Sequence, residues 1–243
     1  MIKIAVKSLG LDDLYPFKPE EKIIEYAIAA RRKAVRRLVD RTVQDFVEET
    51  ASESPAPGGG SVSASVGALG AALATMVANL SSHKRGWDAR WEEFSDWADK
   101  GKAHYVELLR LVDEDTIAFN RLMDTFGLPK GTDAEKAARK AAIQEATKGA
   151  IQVPFKVMQA ALASMEVMRA MAEIGNPASV SDAGVGALCA RTAVMGAFLN
   201  VRINCASLED KAFVAETVAQ GQDIERQAQT QEREILELVR AKL

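Results

Sequence analysis

Small and apolar residues recur at three- and four-residue steps through 61–82: Ala64, Gly67, Ala68, Ala71, Ala72, Thr75 and Ala78. This is the helical period, and side chains this short make a flat face on which another backbone can pack closely. Gly67 and Gly70 each cost about 1 kcal/mol of helix propensity relative to Ala, so a close contact has to offset them. A second, amphipathic pattern over 87–125 predicts a long helix, ended by Gly127 and Pro129. Thr132 and Glu135 have capping-box spacing and open a helix to about 174, with a kink or break expected at Pro154. Gly175-Asn176-Pro177 stops it. Ser181 or Asp182 is expected to cap the next helix, to about Cys205, and Ser207 with Asp210 the last, to the C-terminus.

The start of the chain is less regular. Residues 2–9 alternate weakly and predict a short strand or extended arm, ended by Pro16 and Pro19. Residues 20–39 predict a helix with Ile23, Ile24, Ala27 and Ala30 on one face, and Thr42 with Asp45 predicts a short helix through Glu49. Long helices joined by short turns predict an all-α fold, an up-and-down bundle of long helices with a short N-terminal extended arm. The expected division is 1–40, arm and helix, and 41–243, a helical domain.

Composition narrows the function classes. The 243 residues are 48% hydrophobic and 27% charged, enough for a sizeable core, and the net charge of −3 argues against nucleic acid as a main partner. The opening lacks the apolar core of a signal peptide. The Ser, Thr, Asn and Gly of 61–82 make that stretch a poor membrane span, so a cytoplasmic protein without a membrane partner is expected. Cys189 and Cys205 lie sixteen positions apart on one predicted helix and cannot form a disulfide within it. No His/Cys/Asp/Glu spacing resembles a metal site.

Three features carry candidate chemistry. Pro55-Ala56-Pro57-Gly58-Gly59-Gly60-Ser61-Val62-Ser63-Ala64 ends any preceding helix and starts the small-residue one. Glycines let the backbone approach another molecule, and the first free N–H groups of a helix suit an anion or polar heterocycle. The segment is neither a Walker loop nor a Rossmann turn, and a triple glycine alone also fits a plain turn. Asn200 and Asn204, one helical turn apart amid Phe198, Leu199 and Ile203, fit a polar pocket or a buried hydrogen-bond network. Asp113 and Asp115 face different ways on a helix, so one of them can point inward near Ile117, Phe119 and Leu122. An inward carboxylate can move protons; a solvated acidic face is the reading from composition alone.

The segment 54–64 resembles the signature of the cyclodeaminase domain of formiminotransferase-cyclodeaminase, a family that includes stand-alone methenyltetrahydrofolate cyclohydrolases. The resemblance continues through Leu111-Val112-Asp113-Glu114-Asp115 to Phe119, Leu128-Pro129-Lys130-Gly131-Thr132, and Ala142-Ile143-Gln144-Glu145-Ala146 to Val153-Pro154. It ends with Gly175-Asn176 to Ser181-Asp182, and Gly196-Ala197-Phe198-Leu199-Asn200-Val201 to Asn204. Residues 6–26 resemble the segment joining the transferase and cyclodeaminase halves of bifunctional members; no transferase half is expected here.

The resemblance implies an all-α, dimer-based fold, a homodimer or higher homo-oligomer, and a tetrahydrofolate derivative as substrate with no covalently bound cofactor. It implies conversion of 5-formimidoyltetrahydrofolate to 5,10-methenyltetrahydrofolate and ammonia, a step of histidine breakdown, with a separate formiminotransferase as a candidate partner. It maps the catalytic acid onto the Asp-x-Asp stretch, where Asp115 is chosen for standing four residues before Phe119. Gly58, Gly59, Gly60, Ser61, Ser63, Asp182, Asn200 and Asn204 are then the expected substrate contacts. Methenyltetrahydrofolate cyclohydrolase is the alternative activity, and a non-catalytic helical oligomerisation or folate-binding module the alternative class.

Overall fold

The computed structural model describes residues 37–243 together with 9–11, 17, 18, 22 and 23. The expected extended arm and most of the expected 20–39 helix lie outside the described residues. The chain divides into two compact units, Met1–Phe46 and Val47–Leu243. The division falls shortly after the expected 40/41 boundary, inside the short helix α1, Val43–Thr50. In the first unit a 3-10 turn spans Leu38–Asp40, and Thr42 Oγ1 accepts the Asp45 N–H at the start of α1.

The second unit holds five long helices: α2 Gly59–Ser82, α3 Trp91–Thr125, α4 Asp133–Ile174, α5 Val180–Cys205 and α6 Lys211–Arg240. No strand occurs among the described residues. Helices α2, α3, α4 and α5 each pack on their chain neighbour, and α5 closes the ring on α2. Cross-contacts fix the directions. Gly60 lies against Asp115 while Gly101 lies against Thr75, so α2 and α3 are antiparallel. Gly59 meets Asn200 and Gly70 meets Gly186, so α2 and α5 are antiparallel too. The result is an up-and-down bundle with α6 laid on α4 and α5.

Packing explains the small residues. A Cβ on Gly70 would stand 2.8 Å from the Gly186 carbonyl oxygen, and one on Gly186 would stand 3.0 Å from that of Gly70. The two backbones therefore touch, and this contact offsets the propensity cost of glycine in α2. Larger side chains come from α3 and α4: Leu108, Leu111, Ile151, Met158, Met165 and Met168 are fully buried. Flexible methionines suit the uneven space left beside a flat alanine seam.

By length and hydropathy alone both α2 and the Pro177–Cys205 segment qualify as membrane spans. No span is expected from the Ser, Thr, Asn and Gly content of α2, and none is expected for α5. Both are the helices that meet at the alanine–glycine seam, and half or more of each apolar window is buried there.

Helix α4 runs through Pro154 without a break. Two local expectations are corrected. Helix α5 starts at Val180, capped by neither Ser181 nor Asp182, because the 3-10 turn Pro177–Ser179 leads directly into it and Asn176 Oδ1 accepts the Ala178 N–H. Asp210 alone caps α6, accepting the Phe213 N–H, while the Ser207 hydroxyl donates to the Asn204 carbonyl. The capping box of Thr132 and Glu135 is present in both directions.

Candidate functional site

The glycine turn delivers the N-terminus of α2 to the C-terminal halves of α3 and α5. Gly58 is the N-cap and has no side chain to satisfy the first free N–H groups of the helix. A carboxylate from α3 takes that place. Ser61 Oγ donates to Asp115 Oδ2 at 2.9 Å, and the Ser61 backbone bonds the same carboxylate. Ser61 has one hydroxyl hydrogen, spent on Asp115, so the 3.2 Å contact between Ser61 Oγ and Thr116 Oγ1 is donated by Thr116. Gly60 makes this possible: a Cβ there would stand 2.2 Å from Asp115 Oδ1.

A cavity of about 310 Å³ opens beside the carboxylate, within the range of small-molecule sites. Phe119, Leu122 and Met123 form an apolar wall; Asn200 and Asn204 form the wall across from it, with Gly58 and Pro55 at the glycine turn. Among the described residues lining it, Asp115 is the one ionisable side chain.

Each asparagine has its Nδ2 committed. Asn200 Nδ2 donates to the Gly196 carbonyl and Asn204 Nδ2 to the Ala150 carbonyl, both at 2.9 Å. Their Oδ1 atoms remain as acceptors. With the Asp115 carboxylate this makes a cavity that combines hydrogen-bond acceptors with the apolar surface of Phe119, Leu122 and Met123, matched to a flat heterocycle edged with N–H groups.

Asp115 is half-buried, and burial pushes its carboxyl above the usual range, while the two bonds from Ser61 hold it part of the way down. Ser61→Ala removes one of those bonds. The acid limb of its kcat/KM profile is therefore expected to move to higher pH than in the wild type, and a pH–rate comparison of the two proteins checks this. An unmoved or lowered limb contradicts it.

The structure does not bring every expected contact together. Gly58, Gly59, Gly60, Ser61, Asp115, Asn200 and Asn204 converge, whereas Ser63 and Asp182 do not reach the cavity. The Ser63 hydroxyl turns back to the Gly59 carbonyl at 2.6 Å and packs against Gly196, because its place on α2 faces the α5 seam. Asp182 and Asn200 are 18 positions apart on the continuous helix α5. That is about 27 Å at 1.5 Å per residue, too far to reach this cavity. Asp113, two positions from Asp115, does not line it. Thr116 and Ala150 were not anticipated. The signal for Ala150 was Pro154 four residues later, since such a proline frees the carbonyl one turn back.

Comparison with known proteins agrees with this architecture. Residues 42–223 match the family model described as formiminotransferase-cyclodeaminase, and residues 1–29 match that of the formiminotransferase domain. The chain is 36% identical over 169 residues to the methenyltetrahydrofolate cyclohydrolase of Methylorubrum extorquens, covering 70% of this chain and 81% of that one. It is 35% identical over 241 residues to the formimidoyltransferase-cyclodeaminase of Sus scrofa, covering 99% of this chain but 44% of that protein. The chain thus spans under half the length of this bifunctional relative. The crystal structure of the formiminotetrahydrofolate cyclodeaminase of Thermotoga maritima superposes with a TM-score of 0.73 at 25% identity, covering 83% of this chain and 96% of the other. With a family model matched over most of its length and relatives above one-third identity, this chain belongs to the formiminotransferase-cyclodeaminase family.

Proposed function

We propose that this protein is a formimidoyltetrahydrofolate cyclodeaminase and that Asp115 is its proton shuttle. The observation that carries the reading is the Asp115 carboxylate, half-buried, held by Ser61 and set on the wall of an acceptor-lined cavity. In the reaction, N10 of the reduced folate attacks the carbon of the protonated N5-formimidoyl group. A tetrahedral carbon forms, bonded to N5, N10 and an amino group. Asp115 takes the proton from N10 and returns it to the amino nitrogen. The carbon–nitrogen bond to that group then breaks, ammonia leaves, and the methenyl cation bridges N5 and N10. One carboxylate acting as base and then as acid suits a raised pKa, which brings it nearer the working pH. The Asn200 and Asn204 Oδ1 atoms receive N–H groups of the pterin, and Phe119 covers its ring face.

Support for the deaminase over the hydrolase is the alignment of almost the whole chain with the bifunctional relative, and the match of residues 1–29 to the transferase model. A separate formiminotransferase supplying the substrate fits the same observation. Hydrolysis of the methenyl bridge is the second reading, favoured by the 81% coverage of the cyclohydrolase relative. The deciding experiment supplies purified protein with 5-formimidoyltetrahydrofolate and follows methenyl absorbance together with ammonia. Both rise if the proposal is right. Activity confined to consuming 5,10-methenyltetrahydrofolate reassigns the chain to the hydrolase.

The reading includes a homodimer. Leu69, Met76 and Leu80 of α2 and Val185, Leu188, Leu199 and Ile203 of α5 are exposed at helical spacing on two helices packed side by side. Such apolar stripes mark a protein surface that gets covered. Light scattering is expected to give twice the chain mass, falling toward one in Leu69→Glu; a wild-type monomer refutes this element.

A further inference from the structure

Pro154 is buried inside α4, where a proline is costly and the chain nevertheless stays helical. A proline at this position has no N–H for the carbonyl four residues earlier, which is Ala150. Its ring also pushes that carbonyl off the helix axis. A buried carbonyl without a donor is costly, so the Ala150 oxygen needs a partner from outside α4. It has one. Asn204 Nδ2, on α5, donates to it at 2.9 Å. Ala150 and Asn204 both line the cavity that holds Asp115.

The chemistry of this bond sets the orientation of the asparagine. A carbonyl oxygen accepts only from the NH₂ end of the amide, so the Oδ1 end is the one left facing the cavity. Nearby contacts hold the helix end in place. Gln144 of α4 donates to the Ser207 carbonyl at 3.2 Å and accepts the Glu209 N–H at 2.8 Å, and Lys148 pairs with Asp210 at 2.7 Å. The turn that follows Asn204 is therefore tied to the helix that carries Pro154.

We propose that Pro154 is a positioning residue for substrate recognition. By withholding its N–H it reserves the Ala150 carbonyl for Asn204, which is held with Oδ1 presented to an N–H of the bound ligand. The ligand part rests on the folate reading of the cavity; the hydrogen-bond exchange does not.

Two double-mutant cycles separate these parts. The first measures thermal midpoints of the full chain. Asn204→Ala in the wild-type background leaves the Ala150 carbonyl without a donor and is expected to lower the midpoint clearly. In Pro154→Ala the restored N–H of residue 154 takes that carbonyl, so adding Asn204→Ala is expected to lower the midpoint little. Equal losses in both backgrounds overturn the exchange. The second cycle measures the Kd of 5,10-methenyltetrahydrofolate. Asn204→Ala is expected to weaken binding by about tenfold. Pro154→Ala is expected to weaken it several-fold while its thermal midpoint holds or rises, and to add nothing once Asn204 is gone. Losses that multiply, or an unchanged Kd in Pro154→Ala, overturn the positioning role. Failure of the wild-type protein to bind this folate removes the ligand assignment while the thermal cycle still decides the exchange.

Discussion

Asp115→Asn is expected to lower kcat by about 10²- to 10⁴-fold, the range for removing a general acid–base, while the protein stays folded and at least as thermally stable at neutral pH. The stability half follows from the direction of the pKa change. Burial raises the Asp115 carboxyl above its ordinary value. For an acid shifted this way the stabilising contribution is full below the unfolded-state pKa and is lost as pH rises through the folded-state pKa. Burial penalises the ionised form, and a neutral amide of the same shape avoids that penalty. It also keeps an oxygen to accept the Ser61 hydroxyl. A single-turnover assay beside a melting curve checks both parts. Full activity in Asp115→Asn removes this residue from the mechanism. A collapse of the melting temperature together with activity marks it as structural.

Gly60→Ala is expected to produce the second large loss, about 10²-fold in kcat/KM, from a single methyl group outside the reacting atoms. The Cβ would stand 2.2 Å from Asp115 Oδ1 and 2.6 Å from Oδ2, so the carboxylate has to leave its position. Displacement of a catalytic group by about 1 Å is enough for a loss of this size. The stability change is expected to be small. Alanine gains about 1 kcal/mol of helix propensity over glycine, against about 1–3 kcal/mol for the overpacked contact. Gly59→Ala is a control at the adjacent position. The nearest atoms to its Cβ would be those of the Asn200 side chain, at 2.9 Å, so it is expected to disturb ligand binding more than turnover. Equal kinetic losses in the two variants, tracking equal drops in melting temperature, would reduce the glycines to a plain turn.

Local features were legible in the sequence wherever a short-range rule governs them. The Thr132–Glu135 capping box needs two residues three apart and nothing else, and it is present. The glycine turn stands where a helix starts, and the flat alanine–glycine face is buried except at Ala72, which is half-exposed. The expected caps at Ser181 and Ser207 failed because competing partners lie a few residues away: the Asn176 side chain for one, and Asp210 for the other. Ser63 stands two positions after Ser61 on the same helix. On a helix two positions make about 200°, so the two hydroxyls face different neighbours.

By itself the amino-acid order determined a set of long helices, their stops, the face that must pack tightly, and a short roster of polar groups able to do chemistry. All of these depend on periodicity and on contacts within a few residues. Only the tertiary structure decided which polar groups meet. Asp115 and Ser61 are 54 positions apart, as are Asn204 and Ala150, and each pair is joined by hydrogen bonding between helices. Antiparallel packing brings the start of α2 to the far ends of α3 and α5, and the same rigidity that places Asn200 at the cavity carries Asp182 out of its reach.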